Sequence, residues 1–157
     1  MTVAVDRFVT IKIVQLAQKY AYHANNYLSA FPGMNVHKWR LLVHMVEWGR
    51  HAPIDIAKAS RREPAEIIGH LSEMVHHGYL ETSFGGDGVH YQITEKGNEL
   101  YATLLPFMQN RQSRLIEGLD EEQLSLMHRL LDQLADNVDG LLDLPSNEAP
   151  GPRPVRT

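Results

Sequence analysis

The 157-residue chain has no cysteine, which excludes a disulfide framework, a thiolate zinc site, a cysteine-ligated cluster and a cysteine nucleophile. It also has no long apolar run, and nothing approaches the roughly 18 to 20 apolar residues of a membrane span. The amino terminus lacks the basic region, apolar run and cleavage site of a signal peptide, so a soluble, cytoplasmic protein with no membrane partner is expected. Nor is there an excess of positive charge. Fifteen Lys and Arg against nineteen Asp and Glu give a formal charge of −4, unlike the strongly basic footprint of a non-specific nucleic-acid binder. Histidine is the exception to this scarcity. Protonating all nine would carry the charge from −4 to +5, at a pH near the ordinary histidine value of about 6.5. At about 150 residues per domain, the length allows one domain with extensions.

Hydrophobic periodicity divides the chain. Val9, Ile13, Leu16, Tyr20, His23 and Tyr27 are spaced alternately four and three apart, the seam of a packing helix that Phe31, Pro32 and Gly33 stop. Leu124, Met127, Leu131, Leu134, Val138 and Leu141 repeat the pattern after an acidic helix start at Asp120. A helical stretch from about Glu95 to Leu119 lies before it, with Pro106 expected to kink it. In the middle, Asn35 caps a helix through Trp48, with Val36, Leu41, Leu42, Met45 and Trp48 available for burial, and a short helix follows from about Ile54 to Ala59. Pro64 opens another helix to about His77, with Ile67, Ile68, Leu71, Met74 and Val75 inward and Gly78 as its stop. Tyr79–Phe84 and Val89–Ile93 then read as two strands around the Gly85–Gly88 turn.

Three helices followed by a hairpin is the order of a winged helix-turn-helix, whose third helix enters the DNA major groove. The expected fold is therefore mainly α with a small β-hairpin wing: a winged lobe over 33–97, a helical dimerisation region from 1–32 and 98–144, and a flexible tail over 145–157. That tail has four prolines and two arginines. The terminal seams exceed what the lobe can cover, which points to a twofold homodimer joined through Val9, Ile13, Leu16, Leu124, Met127, Leu131, Leu134 and Val138.

GMNVHKWRLL, IDIAKASRREPAEIIGHLSEMVHHGYLETS and YQITEKGNEL carry a resemblance to the MarR family of bacterial transcriptional regulators, covering roughly residues 8–142. The most specific pieces are Trp39-Arg40, Gly78-Tyr79-Leu80 and Ile93–Gly97. The resemblance implies an obligate dimer on a pseudo-palindromic duplex, typically a repressor released by a small phenolic or aromatic effector bound in a crevice between lobe and dimer region. It directs DNA contact to Lys58, Ser60, Arg61, Arg62, Pro64, Ala65, Glu66, Gly69 and His70, and in the wing to Asp87 and His90. It directs effector contact to Tyr20, His23, Tyr27, Trp39, Arg40, His44 and Tyr101, a lining suited to a flat aromatic acid with Arg40 or His23 on its carboxylate.

The departures from the family pattern are specific. Where relatives place Ser-Arg-Pro-Thr and a following Thr-Arg, this chain has Glu63-Pro64-Ala65-Glu66 and then Ile68-Gly69. No side chain there makes an arginine-to-guanine or asparagine-to-adenine contact. The wing arginine is missing as well, since the family's Asp-x-Arg corresponds to Gly85-Gly86-Asp87. From Val36 to Gly97 there are seven Lys and Arg against eight Asp and Glu. Phosphate contact then rests on the local edge of Lys58, Arg61 and Arg62. Seven histidines in the same span (His37, His44, His51, His70, His76, His77 and His90) raise the expectation that acidification strengthens DNA binding, against the alternative that they are inert. The alternative function is a winged-helix dimer with weakened DNA specificity, acting as a ligand-binding or protein-interaction module.

Some relatives sense zinc, but here His37, His44 and His51 are seven residues apart, and two helical turns separate the first two by about 10 Å, too far for one ion. Glu66 with His70, and Glu73 with His76 or His77, have ligand spacing but read as solvated helix charge on an exposed flank, so no metal is expected. Gly85–Gly88 leads into a strand, not a helix, and is no phosphate loop. With no nucleophile motif present, neither an enzyme nor a cofactor is expected.

Overall fold

The computed structural model describes residues 8–49, 52–60, 62–86 and 88–141, without the side chains of Trp48, Ala59, Ser60 and Leu141. The described elements are α1 (Val9–Leu28), α2 (Val36–Trp48), α3 (Pro53–Ser60), α4 (Pro64–His76), β1 (Leu80–Gly85), β2 (Gly88–Ile93), α5 (Glu95–Leu115) and α6 (Glu121–Leu141). The chain divides into two compact units, with the boundary in α5 between Phe107 and Met108.

In the first unit, α4 packs on α2 and α3 and leads into β1. Leu28, Leu42, Met45, Ile56, Ile67, Leu71, Met74, Leu80 and Leu104 are its fully buried large side chains. Burial of each contributes about 1.5–3 kcal/mol relative to exposure. Along α4 the inward positions are Ile67, Leu71 and Met74, at steps of four and three. Ile68, expected inward, is off that stripe by one residue's rotation and is 44% exposed.

Polar groups hold the helix ends. The Asn35 side chain accepts from Lys38 N–H at 2.9 Å as the α2 cap, and Asn25 of α1 accepts from Val36 N–H at 2.8 Å. Lys38 is only 4% exposed. Its ammonium donates to the Gly33 carbonyl at 2.7 Å and pairs with Glu73, binding the α1–α2 turn to α4. A charge this buried is tolerated only because it is paired and hydrogen-bonded.

The two motif segments around the hairpin share one junction. Gly78, at φ +76°, lets α4 end with Gly78 N–H on Val75 O and Tyr79 N–H on Met74 O, both 2.9 Å. Tyr79 therefore belongs to the helix stop, and β1 begins at Leu80, one residue later than expected. Tyr79 O–H donates to the Pro32 carbonyl at 3.0 Å. Thr94 caps α5 by accepting from Gly97 N–H at 3.1 Å, while its hydroxyl lies 2.7 Å from the Gly78 carbonyl. Lys96 donates to the His77 carbonyl at 2.7 Å and lies over the Tyr79 ring. Gly97 is buried against the Tyr79 carbonyl, where a Cβ would collide with backbone.

β1 and β2 pair antiparallel from Leu80 with Ile93 to Gly85 with Gly88. α5 continues through Pro106 and ends at Leu115, four residues short of expectation, before Gly118 at φ +86°. In the second unit, Asp120 and Gln123 cap α6 reciprocally: Gln123 N–H donates to Asp120 Oδ1 at 2.8 Å and Asp120 N–H to Gln123 Oε1 at 3.0 Å.

Candidate nucleic-acid and ligand interface

α4 turns Ala65, Glu66, Gly69, Ser72, Glu73 and His76 to solvent along one face. Pro64 is half-buried at its start, and Gly69 has open space where a side chain would stand. A shallow groove at this end is lined by Ile54, Lys58, Arg62, Glu63, Pro64 and Glu66. Of the expected phosphate edge, Lys58 is exposed. Arg62 is half-buried and engaged: one guanidinium nitrogen pairs with Glu66, and another donates to His37 Nδ1 at 2.9 Å. Arginine can only donate, so His37 is a neutral acceptor in this arrangement, with its proton on Nε2. Arg61 and Asp87, and with them His51 and the 145–157 tail, lie outside the described residues, as does the Ser60 side chain.

His70 departs from the exposed flank expected of it. It is half-buried, 3.7 Å from Glu66, and its ring stacks on His37 with centroids 5.8 Å apart. Glu73 is drawn to Lys38, whose hydrogen bond and charge hold the Glu73 carboxyl below the usual carboxylate range. Among the described residues, no three His, Asp or Glu side chains converge as a metal site. At the wing, His90 is half-buried in β2, while Phe84, near the tip, is 83% exposed.

The residues expected around an effector fall into four groups. Tyr27 stacks on Phe107 with centroids 3.4 Å apart. Trp39 is 7% exposed and stacks on Tyr101 at 5.6 Å, so its ring is part of the core. His23 is exposed on α1 with its ring against Tyr22, and Tyr20 is half-buried on the same helix. Arg40 and His44 face elsewhere, lining a small recess with His37, Leu41, Arg62, Ile67 and His70. The α2–α4 packing that forms this cluster joins residues about thirty positions apart. The i, i+7 spacing of His37 and His44 and the i, i+4 spacing of Glu66 and His70 were the signal for it in the sequence, but they could not show which helices meet.

The described helices also carry uncovered apolar stripes. On α1, Val9, Ile13 and Leu16 are exposed. On α6, Leu131, Leu134 and Val138 are exposed, and Leu124 and Met127 are half-buried. Among the described residues, no helix is long and apolar enough to cross a membrane.

The sequence matches no protein-family model and no curated protein. Solved structures are similar throughout. A MarR/EmrR family transcriptional regulator from Acinetobacter sp. ADP1 superposes with a TM-score of 0.80 at 21% identity, over 88% of this chain and 99% of that one. Bordetella bronchiseptica BpsR, whose DNA binding is regulated by 6-hydroxynicotinic acid, gives 0.77 at 16% identity, over 87% and 99%. S. aureus MepR in complex with DNA gives 0.78 at 14% identity, over 86% and 99%. The described residues have the fold of the MarR-type regulators, with six helices and a two-stranded wing.

Proposed function

We propose that the protein is a homodimeric, non-enzymatic transcriptional regulator of MarR type, a repressor that acts in the cytoplasm on a pseudo-palindromic promoter site and responds to a small aromatic or phenolic effector. The observation that carries this reading is the solvent face of α4 beside an exposed wing, in a chain whose fold matches the DNA-bound MepR almost end to end. α4 is the recognition helix, and Lys58 is the exposed cation of the expected phosphate edge among the described residues. The lobe spans 33–97, and the apolar stripes of the terminal helices join two copies. The two recognition helices must meet major grooves about 34 Å apart, so an effector that changes their separation removes one lobe's contribution and most of the affinity. Regulation of BpsR by an aromatic acid supports an effector of that class.

A second reading, a dimer with weakened sequence specificity serving as a ligand-binding or protein-interaction module, is favoured by two observations. Arg62 is engaged with Glu66 and His37, and an apolar Phe84 stands near the wing tip. Fluorescence anisotropy separates the two readings, using a labelled duplex from the protein's own upstream region and a scrambled duplex at two salt concentrations. Discrimination between the duplexes with a steep salt dependence supports the regulator. Equal, weak binding to both supports the module.

A further inference from the structure

We propose that Glu66 is a base-reading residue of α4, its carboxylate accepting a hydrogen bond from the N4 amine of a cytosine in the major groove. This rests on the regulator reading and adds to it the base that the helix selects. Glu66 is the third residue of α4 and is exposed, in the part of a recognition helix that touches base edges. Its neighbours on the solvent face offer nothing comparable. Ala65 has no polar side-chain atom, and Gly69 has no side chain and open space around it, so a base edge can approach the helix closely beside Glu66. Ser72 and His76 stand in the second half of the helix, and Glu73 is drawn to Lys38.

A carboxylate on this face is repelled by phosphates unless its charge is offset, and Arg62 offsets it. One guanidinium nitrogen of Arg62 donates to Glu66 Oε1 and the other to His37 Nδ1 at 2.9 Å, so the carboxylate is tied through Arg62 to α2. His70 Nε2 lies 3.7 Å from the same Oε1. Among the described residues, Oε2 has no hydrogen-bond partner. Burial, then Arg62 and His70, lower the His37 pKa, with Glu66 opposing and Arg40 adding to the shift, which keeps His37 the neutral acceptor that Arg62 needs. Burial, then Arg40, lower that of His44 on the same helix, with Glu47 opposing. The acceptor is thus held in place before DNA arrives, and little side-chain freedom is lost on contact.

The choice of base follows from hydrogen-bond chemistry. A carboxylate only accepts. In the major groove guanine presents two acceptors and thymine an acceptor and a methyl group, while adenine sets an N7 acceptor beside its N6 donor. Cytosine presents a donor alone, so it can satisfy Oε2 without bringing a lone pair of its own against the carboxylate.

The test is selection of bound sequences by the full chain from a randomised duplex pool, run in parallel with Glu66→Ala, followed by anisotropy on the selected duplex. Glu66 is exposed, so the variant keeps the fold, and circular dichroism checks this. The parent is expected to enrich one cytosine at the same place in each half-site, and Glu66→Ala to lose about fivefold or more of the preference there while keeping the others. N4-methylcytosine at that place replaces the amine hydrogen facing the groove. It should weaken the parent about fivefold or more and leave Glu66→Ala unchanged, a pattern that a purely structural or charge effect of Glu66 does not produce. An enriched site whose base preferences are the same in Glu66→Ala, or a methylation penalty equal in both proteins, overturns the proposal and leaves the regulator reading standing. No enrichment of any sequence overturns both.

Discussion

Leu131 stands near the middle of the α6 stripe and is 46% exposed in the single chain. Covering the remaining half of a leucine side chain is worth about 1 kcal/mol. A twofold interface uses the residue twice, so Leu131→Ala should remove about 2 kcal/mol of association free energy, roughly thirtyfold in Kd. Protomer folding should change little by comparison, because nearly half of this side chain is already in water. Sedimentation equilibrium over a range of concentrations measures the constant directly, and circular dichroism checks that helix content is kept. Gln133→Ala, exposed on the same helix but off the stripe, should leave Kd unchanged. A parent chain that is monomeric at micromolar concentration would refute the homodimer. A dimer whose Kd ignores Leu131→Ala would show that the copies join through some other surface.

Lys58→Ala should weaken duplex binding about equally for every sequence and reduce the slope of log affinity against log salt by about one, measured by anisotropy; an unchanged slope removes Lys58 from the phosphate contacts. Gly97→Ala drives a Cβ into the Tyr79 carbonyl and the Ile93 side chain, so thermal unfolding should show a loss of about 1–3 kcal/mol or more, and a variant as stable as the parent would contradict the tight junction. With the His37 and His44 pKa values lowered, the unfolded chain binds protons that the folded chain resists. Their contribution to stability is therefore complete above about pH 6.5 and is lost as pH falls from there toward the folded values. Urea titrations over that range should show a falling midpoint, less steep in His37→Asn, and a flat profile would contradict the assignment.

Local chemistry made most of the elements legible. Asn35 before α2, Pro64 at the head of α4, Gly78 at its end and Asp120 before α6 each act within one turn of chain, so their effect is readable from spacing alone. The same holds for the hairpin, whose glycine turn and alternating strands are neighbours in sequence. The misplaced details were those set by phase or by distant partners. Ile68 lies one residue off the buried stripe, and α5 stops before Leu119.

The candidate site was less legible for a related reason. Arg40 and His44 were recognised as chemistry-bearing residues, but they were expected to face the aromatic rings. Those rings instead stack on one another, Tyr27 on Phe107 and Trp39 on Tyr101. Arg62 was read as a free phosphate contact, yet it spans His37 and Glu66. Which residues are apolar, capped or charged follows from the chain itself, because those properties act over one or two helical turns. Which charges meet, and so which of them remain available to a ligand or a phosphate, was decided only when α2 packed against α4 and brought side chains about thirty residues apart within hydrogen-bonding distance.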